Sequence, residues 1–390
     1  MTNFTTAIDA IALTELHRSG ATKWCGDDET IGAFVAEMDF NTAPEIKAAL
    51  HAAVDEGAFG YLPGRLRDEL QNATAEFYAR RFGWSFAASD VHHVPDVIKA
   101  LQLAIEHHSA PDSPVIVPTP AYMPFLVIPP MQGRKVIQVP MAVHDDGYAT
   151  FDLDGLQKAF DQGANLLALC NPYNPLGRVF SREELVAVSE VVARNNGRVF
   201  ADEIWAPLVY DGHAHIPYAS VNDTAAGHTI TAASASKAWN LPGLKCAQVI
   251  TSNDADREIW SRIGFFAGHG TSNLGAVSNI AAYRDGERWL GEVLAYLDRN
   301  RAAISDLVAQ HLPGVRYRQP EGTYVAWLDM RGLDGIDNPA EFFKEHAQVH
   351  LTDGASCGKG FEGFARFIFA TPLPILREAF ERMGKALRER

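Results

Sequence analysis

Ser234-Ala235-Ser236-Lys237-Ala238-Trp239-Asn240-Leu241-Pro242-Gly243-Leu244-Lys245 is the stretch from which the fold of this chain can be read. It follows Thr229-Ile230-Thr231, a short β-rich run, so Lys237 stands just past the end of a buried strand. A lysine there, flanked by small hydroxyl residues and with a second cation eight positions on, suits an imine-forming amine beside a phosphate site. Partial desolvation and a neighbouring cation lower an amine's pKa and make it nucleophilic. The same spacing also fits one more solvated surface lysine.

Outward from this stretch, Val115-Ile116-Val117, Leu166-Leu167-Ala168-Leu169, Arg198-Val199-Phe200-Ala201 and Ala247-Gln248-Val249-Ile250 read as further buried strands. Asp96 to His108 and Ser181 to Asn195 read as helices between them, the second opening with Ser181 and Glu184 as a capping box. Alternating βα order predicts a mostly parallel, twisted sheet covered on both faces, with ligands at the carboxyl ends of its strands. After Ala276 the pattern changes. Asp285 to His311 carries apolar residues at helical spacing, and strand-like Thr323 to Leu328, a strand around Arg366 to Ala370 and a closing helix from Pro374 follow. Three units are expected: residues 1–45 packing on the smaller domain, a large α/β domain over 46–275, and a small α+β domain over 276–390.

Two more strand ends carry chemistry. Asn171-Pro172-Tyr173-Asn174-Pro175-Leu176-Gly177-Arg178 closes one and Asp202-Glu203-Ile204 another. A buried carboxylate is costly unless it meets a cation, and a protonated pyridine nitrogen is one such cation. Asp202 also fits a helix cap or a structural ion pair, and the Asn-Pro segment a proline-fixed turn. Together the three strand ends place an amide, a carboxylate and an amine at one sheet edge, which converges on a single cofactor.

The 390 residues are 47% hydrophobic and 21% charged, which excludes a disordered, collagen-like or coiled-coil chain. A formal charge of −14 repels polyphosphates and anionic bilayers, so neither nucleic acid nor membrane is an expected partner. The near-apolar run from Val115 to Met131 contains Pro118, Pro120, Pro124, Pro129 and Pro130 and cannot be a transmembrane helix. Cys25, Cys170, Cys246 and Cys357 lie far apart and read as reduced thiols of a cytoplasmic protein. The histidines at 92–93, 107–108 and 213–215 lack metal-ligand spacing, so no metal is expected. Gly354 to Gly360 is glycine-rich without P-loop spacing and reads as a loop near a substrate mouth.

With these residues assembled, the chain resembles a pyridoxal-phosphate (PLP) enzyme of fold type I, in the class I/II aminotransferase superfamily and its cystathionine β-lyase (C–S lyase) branch. The likeness runs through Val35-Ala36-Glu37-Met38-Asp39-Phe40, Phe59-Gly60-Tyr61, Pro120-Ala121-Tyr122, the Asn174 turn, Asp202-Glu203-Ile204, Ser234 to Lys245, Thr323 to Leu328 and Arg366. It implies an aspartate-aminotransferase-like large domain with a mostly parallel seven-stranded sheet. It further implies that Lys237 binds PLP as an imine, Asp202 pairs with the pyridinium nitrogen, Asn174 donates to the phenolate oxygen and Tyr122 stacks on the ring. Ser234, Ser236, Lys245 and the N–H groups of Val97 and Ile98 would hold the phosphate, Tyr61 would reach it from the partner of a homodimer with shared active sites, and Arg366 would clamp the substrate carboxylate.

Three positions depart from the superfamily pattern: Trp205 where Tyr or His is common, Lys245 where Arg is common, and Pro95-Asp96 in place of glycine before Val97. The implied activity is α,β-elimination on L-cystathionine or another S-substituted cysteine, a reaction of methionine biosynthesis that yields pyruvate, ammonia and a thiol. An aminotransferase, or a regulatory protein with minor catalysis, are the alternatives.

Overall fold

Continuous apolar runs suit strands covered on both faces, because such strands have no side to show to water. In the computed structural model, which describes residues 4–26, 28–144 and 146–390, these runs form a seven-stranded sheet. Its strands are β1 (Val91–Val94), β2 (Val115–Thr119), β3 (Val136–Pro140), β4 (Leu166–Cys170), β5 (Arg198–Asp202), β6 (Thr229–Ala233) and β7 (Ala247–Thr251). The spatial order is β1-β7-β6-β5-β4-β2-β3. All pairs are parallel except those of β7, which runs antiparallel to both β1 and β6. The family-like sheet expected from the sequence is therefore present, and β2, β4, β6 and β7 are buried along their whole length. Strand order reverses between β2 and β4, the crevice where open α/β sheets bind ligands.

Caps fix the helices that cover this sheet. Asp96 accepts the Lys99 N–H at 2.8 Å and starts the helix Val97–His107. Ser181 Oγ accepts the Glu184 N–H at 3.3 Å while Glu184 accepts the Ser181 N–H at 2.8 Å, and the helix Arg182–Arg194 follows. The proline-rich run from Val115 divides into β2 and the short helix Pro124–Met131. Among the described residues no helix is long and apolar enough to cross a membrane.

The helix expected over Asp285 to His311 is present as Glu287–His311, and a further helix, Asn273–Asp285, precedes it. They separate at Gly286, where a Cβ would stand 2.4 Å from the indole nitrogen of Trp239. The glycine carbonyl instead accepts that indole N–H at 3.0 Å. Beyond them lies a four-stranded sheet in which Phe364–Ile368 pairs with Val325–Asp329 and with Thr352–Asp353. The closing helix Leu373–Arg388 packs on Glu287–His311. The N-terminal segment joins this second body: Ile31–Gly32 runs parallel to Val349–His350, and the Asp39 N–H donates to Ala370. Asp39 is itself fixed by a buried ion pair with Lys23 at 2.7 Å and by the Trp24 indole at 2.7 Å.

Candidate active site

Strand register sets the positions of the reactive groups. Cys170 stands opposite Asp202, and Asp202 opposite Ala232, so the Asn171–Asn174 turn, Asp202 and the Ser234–Lys237 turn leave the sheet at one edge. The loop after β2 brings Tyr122 to the same edge, and the Ala121 N–H in it donates to the Cys357 carbonyl at 2.7 Å.

Lys237 Nζ donates to the Ala36 carbonyl at 2.9 Å and lies 5.7 Å from the centre of the Trp205 indole. Burial, and then the Arg366 charge, lowers its pKa to about 8. Asp202 is 3% exposed and accepts one hydrogen bond, from the Ile204 N–H at 3.0 Å. It forms no ion pair among the described residues, and burial pushes its carboxyl up to about 7. A buried carboxylate in this condition is complementary to a cationic donor.

Arg366 is 2% exposed, and its surroundings are equally specific. One terminal nitrogen donates to the Phe34 carbonyl at 2.8 Å and to Thr352 Oγ1 at 3.3 Å, and the other to Asn174 Oδ1 at 3.3 Å. Among the described residues its Nε has no partner and no carboxylate forms an ion pair with it. Such a guanidinium suits an incoming carboxylate. Arg366, Lys237 and Tyr122 share a cavity of about 510 Å³. Tyr122 packs edge-on to Phe125 there, and burial raises its phenol pKa. A larger cavity of about 610 Å³, between Phe82, Tyr210, His215 and Asp298, has none of the strand-end residues on its walls.

A polar corner lies beyond Lys237. Ser234 Oγ and Ser236 Oγ are 2.7 Å apart, and Ser234 also donates to the Cys246 carbonyl at 2.8 Å. The N–H groups of Val97 and Ile98 open a helix and meet no acceptor among the described residues. Lys245 Nζ reaches Asp96 Oδ2 at 3.0 Å, so a carboxylate stands between this cation and the helix end. Tyr61 does not join the rest within one chain. It is 89% exposed against His269, beside exposed Phe59, Phe265 and Phe266.

Sequence reasoning missed the Ala36 carbonyl and Tyr324, whose hydroxyl donates to that same oxygen at 3.1 Å. It also missed Trp205 as a neighbour of Lys237; its ring meets Tyr324 edge-on at 4.6 Å. A backbone acceptor leaves no signature in a sequence. Among the described residues no three His, Cys, Asp or Glu side chains gather as a metal site, and His92 instead stacks on Trp260 at 4.7 Å.

Comparison with known proteins identifies the family. The model of the family Aminotransferase class I and II matches residues 34–382. A cystathionine β-lyase of Corynebacterium glutamicum is 39% identical over 96% of this chain and 99% of its own. A Corynebacterium diphtheriae structure assigned as a PLP-dependent β-cystathionase superposes with a TM-score of 0.91 at 40% identity, covering 97% of this chain and 98% of that one. Cystalysin from Treponema denticola, solved with pyridoxal 5′-phosphate, gives 0.91 at 28% identity over the whole of both chains.

Proposed function

Because this chain belongs to the class I and II aminotransferases, we propose that it is a PLP-dependent carbon–sulfur β-lyase acting on L-cystathionine or a related S-substituted cysteine. The relatives named cystathionine β-lyase support the reaction class. The observation that carries the reading is the shared cavity: an amine with its pKa lowered to about 8 and a buried guanidinium without an anion open on the same space.

The residues fit PLP. Asp202 is buried, lacks a cation and is pushed up to about 7, which matches a pyridinium N–H. Ser234, Ser236, Lys245 and the free N–H groups of Val97 and Ile98 match a phosphate, and Asn174 and Tyr122 flank the remaining space. When bound, PLP supplies an electron sink for charge developing at Cα.

The chain's own groups then act in order. Arg366 takes the substrate α-carboxylate in its fork and fixes Cα in reach of Lys237. Lys237 Nζ removes the Cα proton as general base. The Cβ–S bond breaks with its electron pair going to sulfur, and Lys237 returns the proton so that a thiol leaves. The remaining three-carbon fragment takes up one water and separates into pyruvate and ammonia. In this reading the exposed Tyr61 completes the phosphate site of a second copy, making a homodimer with shared active sites, and the four free cysteines fit a reducing cytoplasm.

The test is a product assay with L-cystathionine and no added keto acid. Equal amounts of pyruvate, ammonia and homocysteine are expected. Amino transfer that requires a keto-acid acceptor, with no thiol released, replaces this reading with an aminotransferase.

A further inference from the structure

The floor and the rim of the 510 Å³ cavity differ in charge. Arg366 lies at the floor, while the helix Pro339–Ala347 runs along the rim and turns Ala340, Glu341 and Lys344 toward the opening. Spacing of three and four residues puts these side chains on one helical face. Lys344 Nζ and Glu341 Oε1 are 3.6 Å apart, with the side chains 47% and 54% exposed. Among the described residues neither has another charged partner. The neighbouring acid, Asp353, is already committed, its two oxygens accepting the N–H of Ala355 and the side-chain amide of Asn338. His350 on the same wall stacks on Phe34 at 4.0 Å, and burial and then the Lys344 charge hold its pKa below the usual range. It stays neutral and leaves Lys344 as the rim's cation.

We propose that Lys344 and Glu341 form a second charged subsite, which receives the carboxylate and the ammonium of a leaving group that is itself an amino acid. The proposal rests on the β-lyase reading and names the class of substrate: a thioether joining two amino-acid ends. The Arg366 fork orients the end that is cleaved, and the rim recognises the end that departs. An exposed pair three residues apart is worth well under about 1 kcal/mol, so parting it to admit a zwitterion costs little. A rim with carboxylates beside one lysine also disfavours a purely anionic leaving group, which finds no partner for its charge except Lys344.

The test compares kcat/KM for L-cystathionine with that for S-ethyl-L-cysteine, whose leaving group is uncharged. In Lys344→Met the ratio is expected to fall about 4-fold, the equivalent of about 0.8 kcal/mol. The change should lie mainly in KM for cystathionine, Lys344→Arg should restore most of the ratio, and Glu341→Gln should lower it in the same direction. A ratio within about 2-fold of wild type in both Lys344→Met and Glu341→Gln overturns the subsite. Failure of the wild-type enzyme to release thiol from either compound overturns the β-lyase reading itself, a result distinct from loss of discrimination.

Discussion

Asp202 provides a test that needs no turnover. Its carboxyl is buried, holds one hydrogen bond from Ile204 and sits near pKa 7 in the folded chain, against 3.8 for the unfolded value. The folded protein therefore binds a proton that the unfolded chain has released. Stability from this group is fully present below about pH 4 and is lost as pH rises through about 7. A gap of roughly three pKa units corresponds to a loss on the order of 4 kcal/mol between those limits. Asp202→Asn removes the titrating group while keeping the shape. The cofactor-free variant should thus gain on cofactor-free wild type as pH rises from 4 to 8. With PLP bound the order should reverse at pH 8, because the wild-type carboxylate then faces a cation and the amide does not. Denaturant midpoints at pH 4, 6 and 8, with and without cofactor, measure both differences. Parallel pH profiles of the two cofactor-free proteins would refute the reasoning.

Further outcomes are expected at neighbouring positions. Lys237→Ala should abolish turnover and the borohydride-reducible bond to PLP while leaving the circular dichroism spectrum unchanged. Arg366→Ala should raise KM for any amino-acid substrate by about 100-fold, since a buried bidentate carboxylate contact is worth roughly 3 kcal/mol; an unchanged KM rules out the clamp. Asp96→Asn keeps a good helix cap but removes the carboxylate beside Lys245. It should tighten PLP about 3-fold in a titration, and weaker binding would show that Asp96 instead holds Lys245 in place. Mixing Tyr61→Ala with Lys237→Ala subunits should restore activity in hybrid dimers, and no recovery after verified exchange argues for a self-contained site.

What could be read in advance follows from burial. The strands β2, β4, β5, β6 and β7 are covered on both faces, and their unbroken apolar runs announce them. The edge strands escaped: Val91-His92-His93-Val94 looks polar, and Val136–Pro140 is only half-buried. Lys237, Asp202 and Asn174 were legible because Asp202 closes an apolar run and the other two stand in the short turns that follow one. Arg366 was not legible by pattern, since on a short strand it reads like any surface cation, and only the resemblance gave it a role. The rim pair Glu341–Lys344 looks like one more solvated helix face until the tertiary structure sets that face against the cavity.

The Ala36 carbonyl that receives both Lys237 and Tyr324 has a consequence for how the enzyme is made. The contacts that arrange this cavity span 201 residues from Lys237 to Ala36 and 332 from Arg366 to Phe34. Closing such long loops adds little to the equilibrium cost, about 0.6 kcal/mol for each doubling of length, but it sets the order of events. During synthesis the large sheet, whose last strand ends at Thr251, can be complete while Phe34 still lacks Arg366. A partly made chain therefore has the sheet but not the Phe34–Arg366 contact, and the cavity gains that wall only when the strand carrying Arg366 has arrived.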